Sequence, residues 1–486
     1  MSQRLGNQPA HIQVRSQGLD HYKDAILDDL AESANVAQFI SFAPDAALGQ
    51  RFSRVAGFKP NTLFGSVEEA VRVLLEASPD HSVNVRSFDP RQPKANEFIY
   101  GLRSVDAAVI TIRRLATAGL HTIVNETIDV ADGGVSGVAY GNVLEFAPGD
   151  TPRAVEKPGT VSFPRDLGQR VLEVIYGFRP ELSYPPEIRV EFSLHPLRRG
   201  VRREHTIVWE IERLDVPDLS ANLRWPNLFS RMLGDKAFGL VIADAQGLPV
   251  PATIAIPRRL PPFTFGRPTG TGETWIRTCP LEPVPGKYTT EHHWRDPFAL
   301  LEKEDEGGSG IASVLAQEGV ESAFSGGAAI DSNGQAVVEG VPGSGEDFML
   351  GRQAPLPLPT RVVERVTEAI KYASQRVGPV DIEWVLDPKG TVWFVQLRQG
   401  VSSIHGDVVY PGSPKVVHRF NVEDGLEAFR ALVVQCEGTA DGIVLVGEVG
   451  VTSHFGDVVR KAKIPTRIER GGPMLNRVGP NQADQG

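Results

Sequence analysis

Apolar positions recur along this chain at helical spacing and at alternating spacing, by turns. KDAILDDLAESA at 23–34 and VDAAVITIRRLATAG at 105–119 read as amphipathic helices. PTRVVERVTEAIKYASQRVG at 359–378 has Pro and Thr at its start and Gly at its end, the punctuation of a third helix. Short runs rich in β-branched and aromatic residues read as strands: VEFS at 190–193, TIVWEIER at 206–213, IEWV at 382–385 and TVWFVQLR at 391–398. The layout predicted is mixed, α/β or α+β.

Those elements repeat. IEWV and VEFS are each apolar–Glu–aromatic, and each is followed by a turn and a second strand. NVRS at 84–87 resembles WIRT at 275–278, DGGVSGVA at 132–139 resembles EGGSGIA at 306–312, and AVEKPG at 154–159 resembles VVEGVPG at 337–343. Lys23 and Lys236 lie 213 positions apart, as do Pro44 and Pro257. The shared order predicts duplication. One unit is placed at 15–213 and a second at 225–400, with a linker around 214–228 and a third segment of different character at 401–486.

Length and composition agree with this. A chain of 486 residues suggests about three domains. The net charge of −10 argues against a nucleic-acid backbone as main partner but leaves room for a local basic pocket. Cys279 and Cys436 are too few for a disulfide framework or a Cys-rich zinc site. The start has no apolar signal core and no run approaches about 18 apolar residues, so a cytoplasmic location without membrane contact is expected. The polar tail GPNQADQG is expected to fray.

Candidate chemistry concentrates after residue 230. Asp387-Pro388-Lys389-Gly390 is a turn that places Glu383 and Gln396 on neighbouring strands. Read alone, the pair suits either a solvated hairpin or a hard cation such as Mg²⁺. Its company points further. Gly234-Asp235-Lys236 with Leu240 and then GLPVPATIAIPR resembles the opening of the nucleotide-binding domain of the pyruvate phosphate dikinase and phosphoenolpyruvate synthase family. WIRT with Arg277, VVEGVPGSGE at 337–346 and DIEWVLDPKGTVWFVQLR at 381–398 follow in the family's order. GIVLVGEVGVTSHFGDVVRKAKIP at 442–465 resembles the swivelling phosphohistidine domain of the same enzymes through Thr452, Ser453, His454, Arg460 and Pro465.

The resemblance implies two tandem ATP-grasp-like units followed by a small phosphohistidine α/β domain. It implies that Lys236, Arg277 and Arg398 direct cations at ATP phosphates. Glu339, Gly343, Gly345 and Glu346 would contact the nucleotide, glycine letting the backbone come close. Glu383 and Gln396 would hold Mg²⁺, and His454, flanked by Thr452 and Ser453, would accept phosphate. The implied reaction passes phosphate from ATP through His454 to an unknown acceptor, either a small molecule or a partner protein that supplies the acceptor site. Two other readings stay open: a nucleotide-binding module with a vestigial histidine, and an ATP-grasp ligase that forms an acyl-phosphate.

Several positions depart from the family pattern. Val449 replaces the first of two glycines before Thr452, and Phe455-Gly456-Asp457 replaces small apolar residues. Only about 20 residues follow Pro465, too few for the family's phosphoenolpyruvate-binding barrel of ~250 residues. In the first unit Lys23, Arg86, Glu156 and Glu191 take the equivalent places, but Ile211 falls where Gln396 would be, between Glu210 and Glu212. The first unit is therefore read as a degenerate copy kept for packing or for binding something else, with an active first site as the alternative. The Arg198–Arg203 stretch reads as a solvated turn, and His292-His293 as a surface pair.

Overall fold

The computed structural model describes residues 22–92, 95–149, 160–213, 220–281, 290–400 and 404–470. The chain divides into two compact units, 1–233 with 256–263, and 234–255 with 264–486. Among the described residues no helix is long and apolar enough to cross a membrane.

In the first unit, strands β1 (Phe39–Phe42), β2 (Gln50–Arg54), β3 (Val83–Phe88), β4 (Ala95–Leu102) and β5 (His121–Glu126) form an antiparallel sheet in the order β2-β1-β5-β3-β4. A second sheet runs β10-β9-β6-β7-β8, from β6 (Val135–Tyr140), β7 (Val143–Pro148), β8 (Val161–Pro164), β9 (Ile188–Leu194) and β10 (Thr206–Arg213). Helices α1 (Lys23–Ala31), α2 (Val67–Ala77), α3 (Val105–Thr117), α4 (Arg165–Tyr176) and α5 (Leu228–Leu233) accompany them. Ser66 and Ser104 cap α2 and α3 by accepting from the third backbone N–H inside each helix. Both helices then bury Ala70, Val71, Leu74, Ala108 and Ile112 against Val83, Val85 and Val124 of the first sheet.

In the second unit, α6 (Asp235–Ala245) precedes β11 (Thr253–Pro257), β12 (Phe263–Phe265), β13 (Thr274–Pro280), β14 (Thr290–His292), α7 (Pro297–Glu304) and β15 (Ile311–Glu318). This sheet runs β12-β11-β15-β13-β14, the order of the first unit's first sheet with each strand number raised by ten. Next come β16 (Phe324–Ile330), β17 (Ala336–Pro342), α8 (Glu346–Met349), α9 (Thr360–Val377), β18 (Val380–Leu386) and β19 (Val392–Gln399). They form the sheet β17-β16-β18-β19, the order of the first unit's second sheet, with no strand in the place of β8 among the described residues. The C-terminal part of this unit adds β20 (Val408–Tyr410), β21 (Val416–Asn421), α10 (Leu426–Cys436), β22 (Asp441–Val446), α11 (His454–Ala462) and β23 (Thr466–Glu469). Its sheet runs β20-β23-β22-β21, with β21, β22 and β23 parallel. Phe420, Phe429 and Phe455 meet in its core with ring centroids 5.0–6.4 Å apart.

Ladder registers correct two of the sequence matches. Gly137 and Val138 on β6 face Phe192 and Glu191, as Gly326 and Gly327 on β16 face Trp384 and Glu383. The counterpart of DGGVSGVA is therefore β16, whereas EGGSGIA leads into β15. The β17 position of Glu339, opposite Gly327, is matched on β7 by Glu145, opposite Val138. Glu156 lies outside the described residues. The Arg198–Arg203 turn is held from within: Asn35 Nδ2 donates to the carbonyls of Arg199, Glu204 and Thr206 at 2.9–3.1 Å.

Candidate functional site

The second unit holds a cleft of about 1710 Å³, lined by its first two sheets and by its C-terminal part. Its walls carry Lys236, Arg277, Gly345, Glu346, Glu383, Gln396, Arg398 and His454, eight of the residues singled out in the sequence. Lys236 stands in the first turn of α6, behind Gly234 at φ +81°. A Cβ at Gly234 would lie 2.5 Å from Cys279 Cβ, so glycine lets the helix start approach β13 closely. Among the described residues Lys236 has no hydrogen-bond or ion-pair partner. Burial lowers its pKa, and the cationic neighbours Arg277 and Arg398 add to the effect.

Arg277 projects from β13. One end of its guanidinium donates to the Val395 carbonyl at 3.1 Å, while Nε is buried and unpaired. The acceptor exists because β19 bulges: Glu383 faces Gln396 and Trp384 faces Phe394, which leaves Val395 as the extra residue. Burial also lowers the Arg277 pKa. A buried cation without a carboxylate is costly, and an anionic ligand relieves that cost.

The opposite wall is a polar chain. In the amide orientation that satisfies both neighbours, Gln396 donates to Glu383 Oε1 at 2.9 Å and accepts from Arg398 Nε at 2.8 Å. Arg398 also pairs with Asp457 of α11 and lies 4.0 Å from Glu383. Burial would lower the Arg398 pKa, but Asp457, Glu383 and Asp381 together raise it. Asp457 is buried, yet Arg398, His454 and Arg460 hold its carboxyl well below the usual range. His454 Nδ1 is 3.8 Å from Asp457 Oδ2, and its side chain is 31% exposed. A carboxylate on the Nδ1 side favours the tautomer with Nε2 free to act as nucleophile. Asp457 and Lys461, which also line the cleft, were missed in the sequence because nothing local shows that α11 faces Arg398.

Four expected contacts do not reach the cleft. Glu339 turns instead to the loop before His454, where its Oε2 accepts from the Thr452 backbone N–H at 2.9 Å and from Thr452 Oγ1 at 2.8 Å. Ser453 is fully buried and donates to the Gly450 carbonyl at 2.7 Å. The Gly343 carbonyl accepts from Ser322 and Ser325, each at 2.6 Å. Glu339, Gly343, Thr452 and Ser453 thus position the loop and the turn beside the site. A Cβ at Gly450 would sit 2.7 Å from Glu339 Oε2 and 2.8 Å from the Phe348 ring, so a side chain there displaces its neighbours.

Glu383 and Gln396 fit a hard cation by their donors. Glu383 offers a carboxylate, and Gln396 would add its amide oxygen by turning that group from Arg398 toward Glu383; phosphate oxygens can complete the shell of Mg²⁺. The ion's chemistry would be to neutralise phosphate charge.

The same positions in the first unit are arranged differently. Glu210 faces Glu191 across a bulge at Trp209, so Glu210, and not Ile211, matches Gln396. Arg189 faces Glu212 where Asp381 faces Arg398, a reversal of charge across the pair. Lys23 pairs with Glu210 at 2.6 Å and Glu212 at 2.7 Å, and Arg86 pairs with Glu191 at 3.1 Å and also with Glu210. Three cations here meet three carboxylates, and both leading cations are tied up by the protein itself.

No family model matches the chain, and no curated protein matches it. Among solved structures it is similar to the VanG D-Ala:D-Ser ligase from Enterococcus faecalis, at 15% identity and TM-score 0.25, over 35% of this chain and 54% of that one. It is similar to the D-alanine–D-alanine ligase from Bacillus anthracis complexed with ATP, at 13% identity and TM-score 0.25, over 37% and 60%. It is also similar to the D-cycloserine synthetase DcsG, at 18% identity and TM-score 0.24, over 40% and 62%. The chain thus spans about half to three-fifths of the length of these proteins.

Proposed function

We propose that the second unit is an ATP-grasp-type domain that binds ATP with Mg²⁺ in its cleft and transfers a phosphoryl group. The observation that carries this is the pair Lys236 and Arg277, two cations facing a cleft with no carboxylate partner among the described residues. Polyphosphate would satisfy both. Arg398 adds a third cation, and Glu383 with Gln396 would hold the metal against the phosphates. The connection Gly319–Ser322 between β15 and β16 also lines the cleft, and would offer backbone groups to the base. The first unit, with its cations neutralised, would bind no nucleotide.

Two acceptors follow from different observations. His454 lines the same cleft with Asp457 beside Nδ1, which supports a dikinase-like route. In it His454 Nε2 attacks the β-phosphorus of ATP, the bond to the α-phosphate oxygen breaks, and AMP leaves. The pyrophosphoryl-histidine then loses phosphate to water and passes the remaining phosphoryl group to the acceptor. The cleft volume supports a ligase route. It exceeds the roughly 300–1,000 Å³ usual for ligand sites, which leaves room for a carboxylate substrate to take the γ-phosphate and form an acyl-phosphate.

Incubation with Mg²⁺ and ATP labelled at the β-phosphate separates them. Acid-labile, base-stable label on the protein with AMP release supports the histidine route, and label that persists in His454→Ala would exclude that residue. ADP with an amine-dependent product supports the ligase. Absence of ATP binding in the intact protein would overturn both.

A further inference from the structure

A second cluster of ligating side chains lies in the C-terminal part of the second unit. His418 projects from β21, the edge strand of its sheet. Asp441 begins β22, and His418 Nε2 lies 2.9 Å from Asp441 Oδ2. Cys436 ends α10 with a relative exposure of 2%. The imidazole nitrogen, the thiol sulfur and the carboxylate oxygen all lie within 4.8 Å of one another. None of the three residues lines the nucleotide cleft.

The turn that joins Cys436 to Asp441 is built. Thr439 Oγ1 donates to the Cys436 carbonyl at 2.8 Å and accepts from the Asp441 N–H at 3.2 Å. One threonine therefore fixes both ends of the turn and keeps the sulfur and the carboxylate on the same side of it. The third donor comes from the neighbouring strand, 18 residues before Cys436. Sulfur, nitrogen and oxygen donors converging from three backbone segments suit a borderline cation better than a hard one.

We propose that His418, Cys436 and Asp441 bind a zinc ion, with water as the fourth ligand. Bond lengths of about 2.0–2.3 Å put tetrahedral donors roughly 3.3–3.8 Å apart, so small side-chain rotations would open the 2.9 Å His418–Asp441 pair and bring any wider gap, at most 4.8 Å, into range. Binding takes Cys436 as thiolate, its proton passing to solvent, His418 as neutral imidazole and Asp441 as carboxylate. The two negative charges balance the ion. The ion would tie the end of α10 to the exposed edge of the sheet, so its role is to stabilise this part of the unit. This site is independent of the reading of the cleft.

The test uses the full chain stripped with chelator and titrated with Zn²⁺ against a chromophoric competitor, and separately with Co²⁺. One Zn²⁺ per chain is expected, with a sulfur-to-cobalt charge-transfer band and a rise in melting temperature on addition of zinc. His418→Gln, at a half-exposed position, should fold normally and lose at least tenfold in affinity. Cys436→Ser should abolish the charge-transfer band. Sub-stoichiometric binding, affinity unchanged in His418→Gln, or a band that survives Cys436→Ser and vanishes in Cys279→Ser would overturn the site.

Discussion

At the scale of residues, the contrast between two lysines is the most informative feature. Lys23 and Lys236 occupy the same place before the same sheet order. Lys23 meets Glu210 and Glu212, and Lys236 meets no carboxylate among the described residues. In the second unit the matching positions are Gln396 and Arg398, so an exchange of two side chains separates a closed ion network from a lysine with no carboxylate beside it among the described residues. Lys236→Met should weaken ATP binding roughly ten- to hundredfold, the effect of losing one charge-assisted contact of about 1.5–3 kcal/mol. Calorimetric titration with MgATP reads this, and unchanged affinity would remove Lys236 from the phosphate site. The mirror experiment is Glu210→Gln. It should leave ATP binding intact and destabilise the first unit by about 3–5 kcal/mol, because Lys23 and Arg86 then lie buried and under-compensated. A shift in urea midpoint measures it, and a neutral result would mean that the network relaxes around the amide.

At the scale of elements, local periodicity was enough for helices and hairpins. The strand read at 206–213 is β10, and the helices at 105–119 and 359–378 overrun the observed ends by at most two residues. Pairing between distant strands was less legible. EGGSGIA shares composition with DGGVSGVA, but only the ladders show that β6 corresponds to β16. The bulges at Trp209 and Val395 were equally hidden, since an extra residue in a strand leaves no mark on composition. That is why Glu210 was passed over for Ile211. Cleft residues were legible where they stand on strands facing it, as Arg277, Glu383 and Arg398 do. Two were misplaced: Glu339 on β17 and Thr452 in the loop before α11 bind each other. This loop gives its own prediction. Gly450→Ala drives a methyl group against Glu339 Oε2 and the Phe348 ring, 2.7 and 2.8 Å away. It should cost about 1–3 kcal/mol and disturb His454 through Thr452. Histidine phosphorylation would then fall while MgATP affinity holds, and a parallel loss of both would show that the loop also shapes the nucleotide site.

At the scale of the molecule, a chain of net charge −10 keeps a cluster of cations in one cleft. Lys461 shows how closely they crowd. Arg398 is the main cause that brings its ammonium down to about 8, helped by burial and by Lys236, against the opposite pull of Asp457 and Asp235. Its side chain still reaches solvent at the rim of the cleft, so its charge responds to bulk pH. Bound polyphosphate favours the protonated amine. By linkage, MgATP affinity should be level below pH 8 and decline as pH rises through 8, where the free protein loses this proton. The terminal phosphate is already ionised in that range, with a second pKa near 6, so the ligand adds no competing change of charge. Lys461→Arg keeps its cation at every pH used and should flatten the decline. Calorimetry from pH 6.5 to 9.5 at fixed ionic strength compares the two, since added salt would screen the cations and mimic the effect. An equal decline in Lys461→Arg would move the titration to Lys236, whose pKa is lowered by burial deeper in the same cleft.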